Sequence, residues 1–151
     1  MKFYLYNYLC KGCGNSFKAP QVPPHSYGAF LMRSLSGETR YLDGLNDEVY
    51  DDVDNLLKEL LQGQGVSDYQ RSEILARVFG VACDPDAQGR LFSLKIGPQC
   101  PDCASVEMDS WEGTEPPEYL ELDFPKVSHV HWQSLSRVEK LQRLAQAVAH
   151  P

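Results

Sequence analysis

The sequence has no long hydrophobic run. Its most apolar stretch, Phe3 to Leu9, covers seven residues, against about 20 for a membrane-spanning helix. The layout of a secretory leader is missing as well. A single Lys2 precedes a Tyr- and Asn-rich stretch, and no small-residue cleavage site follows. From these absences a cytoplasmic location is expected, with no membrane partner. Basic charge is scarce: 14 Lys and Arg face 21 Asp and Glu, for a net charge of −7. Generic binders of the phosphate backbone rely on the opposite balance. No Gly-rich phosphate loop, Gly-x-Ser-x-Gly elbow, His-Glu-x-x-His pair or kinase motif occurs, so a non-enzymatic protein is expected. Repeats and low-complexity tails are absent too. What remains is a 151-residue chain, 42% hydrophobic and 23% charged. That suffices for one domain, 1–151, with a real core and no need of disulfide staples.

Four of the five cysteines form two Cys-x-x-Cys pairs, Cys10-Lys-Gly-Cys13 and Cys100-Pro-Asp-Cys103. Two thiolates at this spacing, with the backbone between them, wrap one side of a tetrahedral ion. Two such knuckles complete a four-sulfur shell. In a chain without export signals the pattern reads as a structural metal site, zinc or iron, with Cys10, Cys13, Cys100 and Cys103 as ligands. Disulfides would need an oxidising compartment. A redox pair should open a helix, whereas the residues after Cys103 alternate like a strand. A closed four-thiolate shell leaves no open position, so the ion would stabilise folding rather than activate water. Cys83, the fifth cysteine, reads as a buried thiol.

The stretch Tyr6-Asn-Tyr8-Leu-Cys10-Lys-Gly-Cys13-Gly14-Asn-Ser-Phe17-Lys18 resembles the first knuckle of zinc ribbons. It looks most like the small FmdB-type bacterial regulatory ribbons, which place an aromatic-alternating strand before Cys-x-x-Cys-Gly and then Phe. Cys100-Pro101-Asp102-Cys103 is similar to the Cys-Pro-x-Cys knuckle of such ribbons. The resemblance covers about 20 residues around the two knuckles. Ribbon knuckles usually lie about 15–20 residues apart, whereas here 86 residues intervene, and Ala104 stands where a glycine usually follows the second knuckle. The resemblance implies a ribbon interrupted by a long insertion.

The remaining patterns give an α+β fold: a ribbon of short antiparallel strands from 1–18 and 90–124, a helical hairpin inserted at about 45–80, and a C-terminal helix at about 136–149. Phe3 to Leu9 are strand formers that deliver Cys10 at a strand end. Gly12 and Gly14 are expected to take positive φ in the metal-wrapping turn. A helix at about Asp47–Gln62 carries the stripe Val49, Val53, Leu56, Leu57, Leu60 and Leu61. A second at about Asp68–Phe79 opens with a Ser67/Gln70 capping box, and the last, Arg137–Ala149, with Ser136/Glu139. Its expected buried stripe is Val138, Leu141, Leu144, Ala145 and Val148. Arg90–Ile96, Ser105–Trp111 and Tyr119–Phe124 alternate as strands. Ala29–Leu35 and Thr39–Leu42 follow no clear period.

Charge is unevenly placed. Residues 1–33 hold four bases and no acid, whereas 102–123 hold eight acids and no Lys or Arg. The acidic stretch suits a docking surface for a basic protein, because a one-sign field steers association and aromatics anchor interfaces. The candidate contacts are Asp109, Trp111, Glu112, Glu115, Glu118 and Tyr119. Asp43, Asp47, Asp51 and Asp52 add a second acidic source. The leading expectation is a non-enzymatic protein-binding module with a structural zinc, in concrete form a bacterial immunity or antitoxin-type inhibitor of a basic toxin or effector. The competing expectation is a nucleic-acid-binding or transcription-linked ribbon, with Lys2, Lys11 and Lys18 mixed among Tyr4, Tyr6, Tyr8 and Phe17. His129 and His131, at strand spacing, read as a polar surface pair.

Overall fold

The computed structural model describes residues 1–150. Strand β1 (Lys2–Cys10) is the centre of an antiparallel sheet. On one side it pairs β2 (Ser16–Gln21), with Tyr8 opposite Phe17. On the other side two short strands lie end to end along it. β5 (Met108–Gly113) pairs with Tyr6–Cys10, and β6 (Tyr119–Glu121) with Lys2–Tyr4. Side chains alternate between strand faces, so Tyr4, Tyr6 and Tyr8 share one face. Their opposite numbers Tyr119, Trp111 and Phe17 share it with them.

The 86 residues between the knuckles hold more than a helical hairpin. After β2 they form a two-stranded sheet, β3 (Ala29–Arg33) and β4 (Thr39–Asp43), where no regular element was expected. Helix α1 (Glu48–Leu60) follows, then α2 (Asp68–Val78) and a 3-10 turn (Phe79–Ala82). After the sheet come α3 (Val130–Ser134) and α4 (Arg137–Ala149). The Asp47 carboxylate caps α1 by accepting from the Val49 and Tyr50 N–H groups, a contact worth about 1 kcal/mol. Both expected capping boxes form at α2 and α4.

The core lies in this helical half. Val49, Val53, Leu56, Leu57 and Leu61 meet Leu75, Val78 and Phe79, and the hairpin adds Met32 and Leu42 beneath them. Phe92, Trp132 and Leu144 complete the cluster. On α4 the buried stripe is narrower than the periodicity suggests. Leu144 is fully buried, Leu141 and Val148 partly so, and Val138 and Ala145 face solvent. A helix resting on one flank of a small core needs only a narrow apolar seam.

Two other expectations change. Arg90–Ile96 forms no strand. Only Ser93 pairs, in an isolated bridge with Arg33, because the chain turns straight after it at Leu94–Lys95, where the Lys95 N–H donates to Ser93 Oγ. His129 and His131 do not sit on a strand. His129 is the buried residue that opens α3, and His131 is exposed on that helix. No helix is long and apolar enough to cross a membrane.

Candidate metal centre

The first knuckle occupies the turn between β1 and β2, and the second precedes β5. The β1–β5 pairing therefore draws the two together. The Sγ atoms of Cys10, Cys13, Cys100 and Cys103 all lie within 4.8 Å of one another. Cys10 Sγ is 3.5 Å from Cys103 Sγ, and Cys13 Sγ is 3.7 Å from Cys100 Sγ. A tetrahedral ion with Zn–S bonds of about 2.3 Å requires S···S edges of about 3.8 Å. The four sulfurs thus form a group that can hold one metal ion, and all four cysteines are free of disulfides.

The two knuckles are built alike. Gly14 N–H donates to the Cys10 carbonyl at 3.0 Å, and Ala104 N–H to the Cys100 carbonyl at 2.9 Å. Cys10 N–H donates to Asn15 O, as Cys100 N–H does to Ser105 O. The Asn15 and Ser105 N–H groups serve Cys13 Sγ and Cys103 Sγ in the same way. The first cysteine of each pair is buried and the second exposed. A pseudo-two-fold of this kind arranges two S–x–x–S arcs at right angles around one point, as a tetrahedral shell demands.

Backbone donors prepare the sulfurs for the thiolate state. The Cys13 N–H, with a further contribution from Gly12, draws the Cys10 thiol down to about 7 despite its burial. Cys13 has the Asn15 N–H in its favour, yet partial loss of solvent around the knuckle and the neighbouring sulfurs push it up to about 12. Four thiols this close cannot all ionise alone. A divalent cation removes that conflict by neutralising two of the four charges.

Glycine roles differ from expectation. Gly14 takes φ +76°, and Ala104, its counterpart, takes φ +64°, a region that costs a Cβ-bearing residue about 1–2 kcal/mol. Gly12 does not adopt positive φ. A Cβ there would lie 3.0 Å from Ser105 Cβ and 3.3 Å from Cys103 Sγ. Its role is to let the two knuckles approach closely.

The candidate partner residues lie along the β5–β6 edge. Asp109, Trp111, Glu112, Glu115, Glu118 and Tyr119 are all exposed, but they are divided between the two sheet faces. Trp111 lies opposite Tyr8 and Tyr119 opposite Tyr4, whereas Glu112 lies opposite Asn7 on the reverse face. Glu118 is held by Lys18 at 2.8 Å. Lys2 lies over the Tyr119 ring at 4.1 Å. Two of the three N-terminal lysines named above are therefore engaged within the chain.

Sequence reasoning missed a buried polar cluster. His129 Nδ1 lies 2.7 Å from the Ala82 carbonyl, and Nε2 lies 2.7 Å from Asp47 Oδ2. Each ring nitrogen thus faces an acceptor oxygen. This pair ties α3 to the start of α1 and to the 3-10 turn. Cys83 is buried nearby, 3.8 Å from the Phe79 carbonyl, and burial above all pushes its thiol up. Burial and a raised pKa are the surroundings of a core thiol.

The chain matches no protein-family model, no curated protein and no solved structure.

Proposed function

We propose that the protein is a non-enzymatic, metal-stapled protein-binding module in which a structural zinc sets the sheet that a basic partner recognises. The four-sulfur group carries this reading. Cys10, Cys13, Cys100 and Cys103 fill a tetrahedral shell among themselves, which leaves no coordination position for substrate or water. The ion then serves architecture, holding β5 against β1. β5 has a free outer edge and little buried surface. Trp111 is 64% exposed there, and Asp109, Glu112 and Glu115 form no ion pair among the described residues. An aromatic anchor on one face and unpaired acids along the same free edge suit a partner with a basic surface that grips that edge. In its concrete form the partner is a toxin or effector that the chain blocks, as a bacterial immunity or antitoxin-type inhibitor does, in the cytoplasm.

The test is affinity capture from the native lysate with the metal-loaded chain, followed by binding kinetics on the recovered protein. Charge reversal at Glu112 and Glu115, with Glu118 as the ion-paired comparison, should slow association and flatten its salt dependence. No captured protein, or a partner whose association ignores those reversals, refutes the reading.

A further inference from the structure

A cleft of about 770 Å³ opens beside the metal centre, between the Tyr face of the sheet and the irregular segment 94–98. Tyr6, Tyr8 and Trp111 line one wall, Leu94 and Ile96 another, and Leu31 and Arg33 from β3 reach in from the insertion. The volume is ordinary for a small-ligand site.

Arg33 sets this cleft apart. It is only 6% exposed, yet no carboxylate pairs with it among the described residues. One guanidinium nitrogen donates to the Pro20 carbonyl at 2.6 Å, and the Tyr8 hydroxyl is a second partner. A guanidinium has five N–H donors. Pro20 and Tyr8 leave donors over, and Arg33 lines the cleft. A buried charge without a counter-ion is costly and rare outside binding sites. Burial accordingly lowers the Arg33 pKa, with Tyr8 opposing. The chain carries 21 acids, but the cleft lining holds only Glu107 against Lys11, Arg33 and Lys95. Lys95 is shared with Glu73 on α2 at 3.1 Å, and Lys11 is exposed. The demand for an anion therefore rests on Arg33.

We propose that this cleft binds a mononucleotide, its phosphate on the free donors of Arg33 and its base against Tyr6 and Trp111. A planar fork matches two phosphate oxygens at once. Aromatic faces accept a base with little regard to its identity, so purine and pyrimidine mononucleotides should bind comparably. The inference shares Trp111 with the docking reading but does not need it to hold, because capture of a protein partner and nucleotide binding are measured separately.

Calorimetric titration of the metal-loaded full chain with AMP, adenosine, inorganic phosphate and a single-stranded oligoadenylate tests it. AMP should saturate one site and quench the fluorescence of exposed Trp111, the other tryptophan, Trp132, being buried. Trp111→Ala, at an exposed position, should weaken AMP about tenfold, the size of one stacking contact. Arg33→Lys keeps the charge but loses the fork and should weaken AMP by a similar factor while leaving adenosine unchanged. The circular dichroism of both variants should match the parent. No AMP binding at millimolar concentration overturns the proposal. So does AMP binding that neither variant alters, or inorganic phosphate binding as tightly as AMP. An oligoadenylate that binds far more tightly than AMP, with AMP itself failing to saturate, overturns it in favour of single-stranded nucleic acid.

Discussion

Stripping the metal should weaken the whole fold, and the size of the loss follows from the chain's own layout. The ion joins Cys13 to Cys100 across 86 intervening residues. In the chain-entropy description, a cross-link closing a loop of that length stabilises by about 4–5 kcal/mol at 25 °C. For a chain of this size each kcal/mol moves Tm by about 2–4 °C, so the apo protein should melt about 8–20 °C lower. The four crowded thiols add to the loss once no cation balances them. The assay is thermal melting by far-UV circular dichroism with and without a zinc chelator, beside elemental analysis for one ion per chain. Cobalt substitution should add thiolate-to-metal charge-transfer bands, and Cys103→Ser should reproduce the chelator effect. A purified chain without metal, whose melting ignores both chelator and Cys103→Ser, would falsify the argument. The β1–β5 pairing alone would then hold the knuckles together.

Three further predictions concern single sites. Ala104→Gly should stabilise the holo-protein by about 1 kcal/mol, because glycine removes the positive-φ cost that its counterpart Gly14 avoids; urea midpoints at constant m-value measure it. His129→Ala should cost about 1–3 kcal/mol by removing the link from α3 to Ala82 and Asp47, and Asp47→Ala a similar amount by removing that link and the α1 cap together; the double variant should cost clearly less than the sum. Asp86 should make the protein acid-sensitive. Burial pushes this carboxyl up, but the hydroxyls of Ser34 and Ser36 and the N–H groups of Arg90 and Gln88 outweigh it and hold it at about 2, although Oδ2 and Ser36 Oγ fall outside strict hydrogen-bond geometry. A carboxyl lowered on folding stabilises above its ordinary value near 3.8 and loses that contribution as pH falls towards 2. Equilibrium unfolding from pH 5 to pH 2 should therefore show a slope that Asp86→Asn reduces.

Features set by neighbours in the chain were legible in advance. The Arg137–Ala149 helix has the expected bounds because its start is fixed by Ser136 and Glu139, three residues apart. The α1 stripe is buried almost as read, since six apolar residues at helical spacing leave one choice of face. Features that depend on distant partners were not. The Arg90–Ile96 alternation describes a strand in search of an edge, and only Ser93 finds one. The β3–β4 hairpin has no Asn-Gly type of turn to announce it; Gly37 supplies the positive φ instead. His129 looked like half of a surface pair because its acceptors are Ala82 and Asp47, 47 and 82 residues away.

The metal centre escaped this limit for a chemical reason. A thiolate pair two residues apart carries its own geometric requirement, and each pair satisfies only half of a tetrahedron. Two half-sites in one chain therefore imply that they meet, whatever the intervening 86 residues do. Arg33 carries no such requirement. An arginine at the end of a short apolar strand is ordinary in sequence, and only the fold reveals that it has been buried without a carboxylate beside it. Of the two sites, one is defined by ligand type and spacing, the other by the desolvation of a single charge. The second kind can be found only once the packing is known, because desolvation belongs to the assembled surface and not to any local stretch of chain.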